Sequence, residues 1–301
     1  MNTVQAASET LALPRQRRTP RWLRSLLRNG VGLLGLSIVV GVVLVAIAAP
    51  LLAPHDPARI NVRARLLPPA WLADGDPRHL LGTDQLGRDV LSRLIDGSRV
   101  SVVVGVLGVA ISVLVGVTIG LVSGYVGGRL DGLISRAVDT FMAIPFIILA
   151  LAAVGFLGPG LTNLIIVLGL TGWVTFARVV RGEVLSVKTM EFVTAARTIG
   201  QRGWRIALFH VLPNVAASII VLATLQIATV IIAESSLSFL GMGVQPPTIT
   251  WGTMLAEGRN HLATSWWLAT FPGVAISITA LGCILMGDWL RDVLDPRLRQ
   301  G

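Results

Sequence analysis

Oppositely charged side chains stand close together in one stretch of this 301-residue chain, residues 81–101. Asp84 lies four residues before Arg88, and this acid-first spacing favours an ion pair on one face of a helix. We expect Arg88, Asp89 and Arg93 to make local ion pairs that hold an amphipathic helix in place. Contact with a bound small molecule is the alternative role for the same charges.

Several other kinds of chemistry are excluded by what the chain lacks. It has no GxxxxGK[ST] motif, and its one lysine, Lys188, follows no glycine-rich loop, so it carries no P-loop ATPase site. The four histidines show no HExxH motif and no paired spacing, so no metal site is predicted. The single cysteine, Cys283, excludes an intrachain disulfide and stands in an apolar run.

The composition indicates whether the helices of this chain fold in water or in a lipid bilayer. The chain is 53% hydrophobic and 14% charged, whereas a soluble domain has about 25% charged residues. The mean hydropathy of +0.74 points to lipid. The net charge of +9 is spread over the loops between apolar runs, which is typical of membrane topology and not of nucleic-acid binding.

A transmembrane helix requires about 20 mostly apolar residues, and six stretches meet this length. These predicted spans are 31–53, 100–125, 137–157, 161–177, 215–232 and 266–286. The repeated glycines of the second span favour close packing against another helix, and Pro145 predicts a kink in the third. Glu234, near the end of the fifth, is the charge closest to a membrane interior. Glu234 is therefore a candidate for a path through the membrane or its gate, with exposure to the lipid headgroups as the alternative. The kink at Pro145 is a second candidate for the path or gate.

The distribution of positive charge predicts the orientation of these spans. With the N-terminus inside, the inner segments contain 17 of the 25 Lys and Arg residues, and cytoplasmic loops are enriched in both. We therefore predict an all-α membrane protein with both termini in the cytoplasm. Its parts are a basic cytoplasmic tail (1–30), a first helix (31–53), an extracytoplasmic loop with an amphipathic helix (54–99), a five-helix core (100–290) and a cytoplasmic tail (291–301). A cleaved signal peptide at the N-terminus is the alternative.

The long segment 178–214 separates the fourth and fifth spans and is expected to have a structure of its own. It reads as two short helices, broken at residues 200–203 and ending before Pro213. Phe192, Ala195, Ala196 and Ile199 follow a helical spacing and form one small apolar stripe. Such a helix docks equally well into a groove of another protein or onto the membrane surface.

The same segment resembles the EAA loop of permease subunits in bacterial ABC importers. The matching residues are Ala195, Ala196, Gly200, Leu212 and Pro213. Two positions differ from the motif: Thr194 stands where Glu is usual, and His210 stands where Ile is usual. Glu191, one helical turn before Thr194, is placed to supply the missing carboxylate. The resemblance implies that residues 190–203 form a coupling helix that fits a cleft of the ATPase, with Arg197 making polar contacts at its rim.

Three further stretches, 81–101, 234–252 and 287–298, are similar to C-type permeases of the dipeptide, oligopeptide and nickel importer group. In the first stretch, Gly82 and Gly87 belong to the motif. The resemblance implies a type I importer permease (MetI-like) in the bacterial inner membrane, forming half of a path for dipeptides or oligopeptides. It also implies four kinds of partner: a B-type permease, two ATPase subunits that use ATP and Mg²⁺, an extracytoplasmic binding protein and the lipid bilayer.

A second class of function is an ion-coupled secondary transporter of small solutes. That class keeps acidic or histidine side chains near the bilayer midplane to bind the driving ion. The predicted span interiors contain essentially none. The importer subunit is therefore the leading hypothesis. We expect this chain to be no enzyme and to bind no cofactor itself. The sequence leaves the transported substrate open among dipeptides, longer peptides, nickel chelates and glutathione.

Overall fold

The structure is a computed structural model that describes residues 29–294. The two predicted cytoplasmic tails lie mostly outside this range. The helices are α1 (Gly30–Ile47), α2 (Ala49–Leu52), α3 (Val90–Val126), α4 (Gly128–Met142), α5 (Phe146–Leu157), α6 (Leu161–Val187), α7 (Glu191–Thr198), α8 (Gly203–Phe239), α9 (Trp251–Gly258) and α10 (Trp267–Leu294). No β-sheet forms within residues 29–294.

Within the described range, five helices are long and apolar enough to cross a membrane: α1, α3, α6, α8 and α10. The pair α4 and α5 counts as a sixth span if the two are taken together, although they are bent by 88°. The predicted six-span, all-helical architecture is confirmed on this basis. The predicted kink at Pro145 is also present, because α4 ends at Met142 and Pro145 caps the start of α5.

The second span begins ten residues earlier than its apolar run. Asp89 is the N-cap of α3, and its carboxylate accepts a hydrogen bond from the backbone N–H of Ser92. No separate amphipathic helix forms in this stretch, because Arg93 lies in the first turn of α3 itself, Asp89 caps that helix, and Arg88 lies in the loop before it. At 1.5 Å per residue, the 37 residues of α3 are about 55 Å long. The helix therefore extends well beyond the roughly 30 Å hydrocarbon layer.

The segment 178–214 differs from its prediction at one end. A short helix does form, as α7, and the chain breaks after it. The expected stop before Pro213 is wrong, because α8 runs through this residue. A π-turn at Ala207–Val211 precedes it, in which the Leu212 N–H bonds to the carbonyl of Ala207, five residues back. Since Pro213 has no N–H to donate, the widened turn lets the helix pass through it.

The centre of the bundle is the contact between α3 and α6. A Cβ added to Gly116 would lie 2.4 Å from the Trp173 carbonyl oxygen, and one at Gly120 would lie 2.6 Å from that of Ala177. Gly169 of α6 meets Ile111 of α3 in the same way. The predicted glycine face of the second span is thus the surface that lets the two backbones approach.

Candidate functional site

The short helix α7 is held against the ends of two spans by its apolar inner face. Val193 and Ala196 are buried there, in a cluster with Val184 of α6 and with Ile206 and Val211 of α8. This cluster fixes α7 on the bundle although the helix has only eight residues. We call α7 with the adjoining loop and first turns of α8, residues 190–211, the coupling end.

Gly200 ends α7 through its backbone conformation. Its φ of +77° is left-handed. The Gly200 N–H donates to the carbonyl of Arg197, and the Gln201 N–H donates to that of Ala196. This pair of bonds is a Schellman motif, which favours glycine at this position. A Cβ at Gly200 would meet nothing within 4 Å, so the conformation, and not crowding within the chain, requires glycine here.

The outer face of the coupling end is apolar and ringed by arginines. Ala195, predicted for the docking stripe, is exposed together with Glu191, Thr194 and Arg197, whereas Ala196 faces inward. Exposed large apolar side chains are Met190, Phe192, Ile199, Trp204 and Phe209, with Ile199 reaching 82% exposure. An exposed apolar patch with a polar rim is typical of a surface that docks onto another protein or onto the membrane.

Polar contacts connect the coupling end to the rest of the bundle. Arg197 lies over the ring of Tyr125 at the end of α3, 5.6 Å from its centroid. Lys188 donates to the carbonyl of Gly124 at 2.7 Å. Asp131 of α4 pairs with Arg181 of α6, with 2.7 Å between Oδ2 and Nη2. Arg197 therefore joins α7 to the end of α3, and the other two contacts join α3, α4 and α6 beside it.

The opposite end of α3 carries the predicted charge cluster, in what we call the loop end, residues 54–89 together with α9. Arg88 donates to Asp84 at 2.6 Å and to Glu257 of α9 at 2.9 Å. Arg93, almost fully buried, donates to the same two carboxylates, at 2.7 Å from Glu257. The ion pairs expected for Arg88 and Arg93 are present, and they join α3 to α9 as well as to the loop.

Asp89 takes a different part from its neighbours. Besides capping α3, its carboxylate accepts from the Ser92 hydroxyl at 2.7 Å and contacts His79 Nδ1 at 2.9 Å. Gly82 and Gly87, predicted as motif glycines, both have positive φ. A Cβ at Gly87 would collide with the backbone of Asn61. These glycines let the loop fold tightly over the charge cluster.

Glu234 lies inside the protein, between α8 and α9. It is fully buried. Its Oε1 accepts hydrogen bonds from the Ser238 hydroxyl and from the Thr250 hydroxyl, both at 2.8 Å. Thr250 is also the N-cap of α9. The carboxylate thereby ties the two helices together, while its predicted role in a path or gate stays a prediction, as does that of the exposed Pro145.

Sequence reasoning missed two partners of the charged residues. Glu257 is 164 positions from Arg93, and Asp131 is 50 positions from Arg181. Neither pair has a local spacing that could have indicated it. The retained motif residues Leu212 and Pro213 lie within α8, next to the π-turn and on the border of the coupling end.

Together these features define a multi-pass, all-helical membrane protein with a short, partly exposed helix beyond its spans. The chain belongs to the family of binding-protein-dependent transport system inner membrane components, which it matches over residues 116–300. Residues 20–69 match the N-terminal transmembrane domain of oligopeptide transport permease C. The protein is accordingly a permease subunit of ABC importers and a multi-pass protein of the bacterial inner membrane, as the resemblance implied.

Relatives agree over nearly the whole chain. It is 40% identical to the di/tripeptide transport system permease protein DppC of Pseudomonas aeruginosa, over 99% of this chain and 98% of that protein. It is 46% identical to the dipeptide transport system permease protein DppC of Escherichia coli K12, over 91% of each chain. The dipeptide permease DppC of Bacillus subtilis is 41% identical over 92% of this chain and 85% of that protein.

Proposed function

We propose that this chain forms half of the path by which an ABC importer moves dipeptides into the cell. The observation that carries the proposal is the coupling end. A helix with its inner face fixed on α6 and α8 and its outer face apolar and exposed suits docking into a groove of another protein. ATPase closure would then move the spans, because α7 cannot shift without α6 and α8.

The substrate class rests on the relatives. Those quoted above carry names that specify dipeptide or di/tripeptide transport. The chain spans most of their length, so its own substrate is proposed to be a dipeptide, with longer peptides as the alternative within the group.

A second permease supplies the other half of the path. The surface around the broken span is apolar and exposed in the isolated chain, notably at Phe141, Ile148 and Phe156, the last of which is 90% exposed. Such a surface is either lipid-facing or covered by a partner helix. We assign it to a B-type permease packed against α4 and α5.

The remaining assignments follow from the predicted orientation, with both termini and the coupling end in the cytoplasm. Two ATPase subunits bind ATP and Mg²⁺ there. An extracytoplasmic binding protein delivers the peptide to the loop end, on the other side of the membrane. This chain itself carries out no hydrolysis.

The test uses the assembled transporter, in which the chain is co-expressed with the second permease and the ATPase subunits. Ile199→Asp should abolish co-purification of the ATPases and uptake of a labelled dipeptide, because it places a charge in the docking face. Ile60→Asp, at an exposed apolar side chain of the loop end (58% exposed, against 82% for Ile199), should leave ATPase co-purification intact. Normal ATPase binding by Ile199→Asp, or proton-driven uptake by the chain alone, would contradict the proposal.

A further inference from the structure

Two histidines and an aspartate converge at the loop end, although the chain spacing did not indicate it. His55, His79 and Asp89 each offer one donor atom, and these atoms all lie within 4.8 Å of one another. The two imidazole rings are 4.9 Å apart between centroids. The residues come from three separate places in the chain and meet at the N-terminus of α3.

The distances match those of a bound divalent ion. Zinc bonds to His nitrogen and carboxylate oxygen are about 2.0–2.2 Å long, so ligands at tetrahedral positions are about 3.3 Å apart. His79 Nδ1 is 2.9 Å from Asp89 Oδ1, and His55 Nδ1 is 3.7 Å from Asp89 Oδ2. These two separations lie on either side of the required one, and all three donor atoms lie within 4.8 Å of one another, so side-chain adjustments on the order of 1 Å would bring them to tetrahedral positions.

The charges leave the Asp89 carboxylate available to a cation. The neighbouring arginines, Arg88 and Arg93, are directed to Asp84 and Glu257. Among the described residues, the carboxylate of Asp89 is contacted instead by the two histidines and by Ser92. The Ser92 bonds go to Oδ2 and hold the carboxylate in place, while Oδ1 faces His79.

A second observation points to a missing ligand. His55 Nδ1 is buried at the atom level and has no hydrogen-bond partner in the described part of the chain. A buried polar atom without a partner carries a free-energy cost that a bound ion would remove. The rest of the His55 side chain is 36% exposed, whereas Asp89 is 2% exposed, which gives an ion a way in from solvent.

We propose that His55, His79 and Asp89 bind a first-row divalent metal ion of the zinc class, with water completing its coordination. Two imidazoles and one carboxylate are donors that suit such ions, whereas Ca²⁺ and Mg²⁺ prefer sites made only of oxygen. The ion would fasten the loop to the start of α3. The inference stands on its own and does not depend on the transported substrate.

The test is a metal titration of the full chain, purified in detergent with a tag that contains no histidine and stripped with a chelator. Co²⁺ is the spectroscopic probe, and Zn²⁺ is the competitor. One equivalent of Co²⁺ should bind with the visible absorption bands of tetrahedral coordination, and Zn²⁺ should displace it. Zn²⁺ should also raise the midpoint of thermal unfolding.

His55→Ala is the decisive variant, because it keeps the backbone bond from the His55 N–H to the Ser92 hydroxyl. It should weaken Co²⁺ binding by about tenfold or more, since even loss of a group that supports a ligand costs 10–100-fold. His79→Ala should do the same, and His261→Ala, a histidine outside the cluster, should bind as the unaltered chain does. The absence of tetrahedral bands, or equal binding by His55→Ala, would overturn the assignment.

Discussion

Arg93 and Glu257 are separated by 164 residues in the chain and joined by an ion pair, with Nη1 2.7 Å from Oε2. Arg93 is buried in the first turn of α3, and Glu257 lies in α9. Arg93 also pairs with Asp84, and Arg88 pairs with both Asp84 and Glu257. A buried arginine that bonds to two carboxylates at once holds the loop and α9 against α3, and its removal leaves Arg88 alone to balance both acids.

Arg93→Ala should therefore lower the free energy of unfolding by about 3–5 kcal/mol, the usual cost of breaking a buried pair. The shift in the midpoint of thermal unfolding in detergent measures this. Arg99→Ala is the matched control, because Arg99 is 51% exposed and 3.6 Å from Asp96. Exposed pairs contribute at most about 1 kcal/mol. Equal shifts for the two variants would show that the buried cluster does not stabilise the fold.

Two variants of Glu234 distinguish a structural role from a role in the path or gate. Glu234→Gln keeps an oxygen that accepts from Ser238 and Thr250, so we expect uptake within about twofold of normal. Glu234→Ala leaves both hydroxyls without their acceptor, at about 1–3 kcal/mol each, and should destabilise the α8–α9 contact. Uptake and thermal stability measured together separate the roles. A stable Glu234→Gln protein that fails to transport would assign the charge to the path or gate.

Gly200→Val should impair coupled uptake while leaving the protein in the membrane. A β-branched residue at φ +77° costs about 1–2 kcal/mol or more, and this strain falls on the Schellman motif that ends α7. Gly182→Val is the control, since its Cβ also has open space but its φ is not positive. Hydrogen exchange of residues 191–201 should quicken in the first variant only. Unchanged exchange and uptake would remove the motif from the coupling mechanism.

Gly116→Ala tests the contact between α3 and α6. The added methyl would lie 2.4 Å from a backbone oxygen, which cannot move as a side-chain end can. Overpacking of this kind costs about 1–3 kcal/mol, so the yield of folded protein and its thermal midpoint should both fall. Gly41→Ala, which has open space around its Cβ, should change neither. A normal midpoint for Gly116→Ala would mean that the helices separate at no cost.

The spans were predictable because lipid imposes a length of apolar residues that composition reveals directly. Their ends were not. Val90, Val187 and Gly203 mark helix boundaries outside the hydrocarbon, where polar residues are equally common in helices and loops. The continuation of α8 through Pro213 was not predictable either. It depends on a π-turn, which is set by the geometry of the preceding backbone hydrogen bonds and does not change the spacing of hydrophobic residues.

Among the candidate site residues, those whose partners or motif lie close in the sequence were predictable, and those brought together by the path of the loop were not. The pairing of Asp84 with Arg88 was predicted correctly, although both residues lie in the tight loop before α3 and not on one face of a helix as expected. Gly200 was selected by its motif, although its physical reason, a left-handed φ, appears only in the backbone. The convergence of His55, His79 and Asp89 depends on the path of the loop, which short-range patterns do not encode.

Because α8 is one continuous helix, a rotation of the helix moves both of its ends. Its 37 residues extend about 55 Å, from the π-turn beside the coupling helix to Glu234 and the Thr250 cap of α9. A rotation of about 5° around its midpoint displaces each end by roughly 2.4 Å at that length. If a partner bound at the loop end changes the affinity at the coupling end through this helix, reciprocity requires that a partner at the coupling end changes the affinity at the loop end by the same factor.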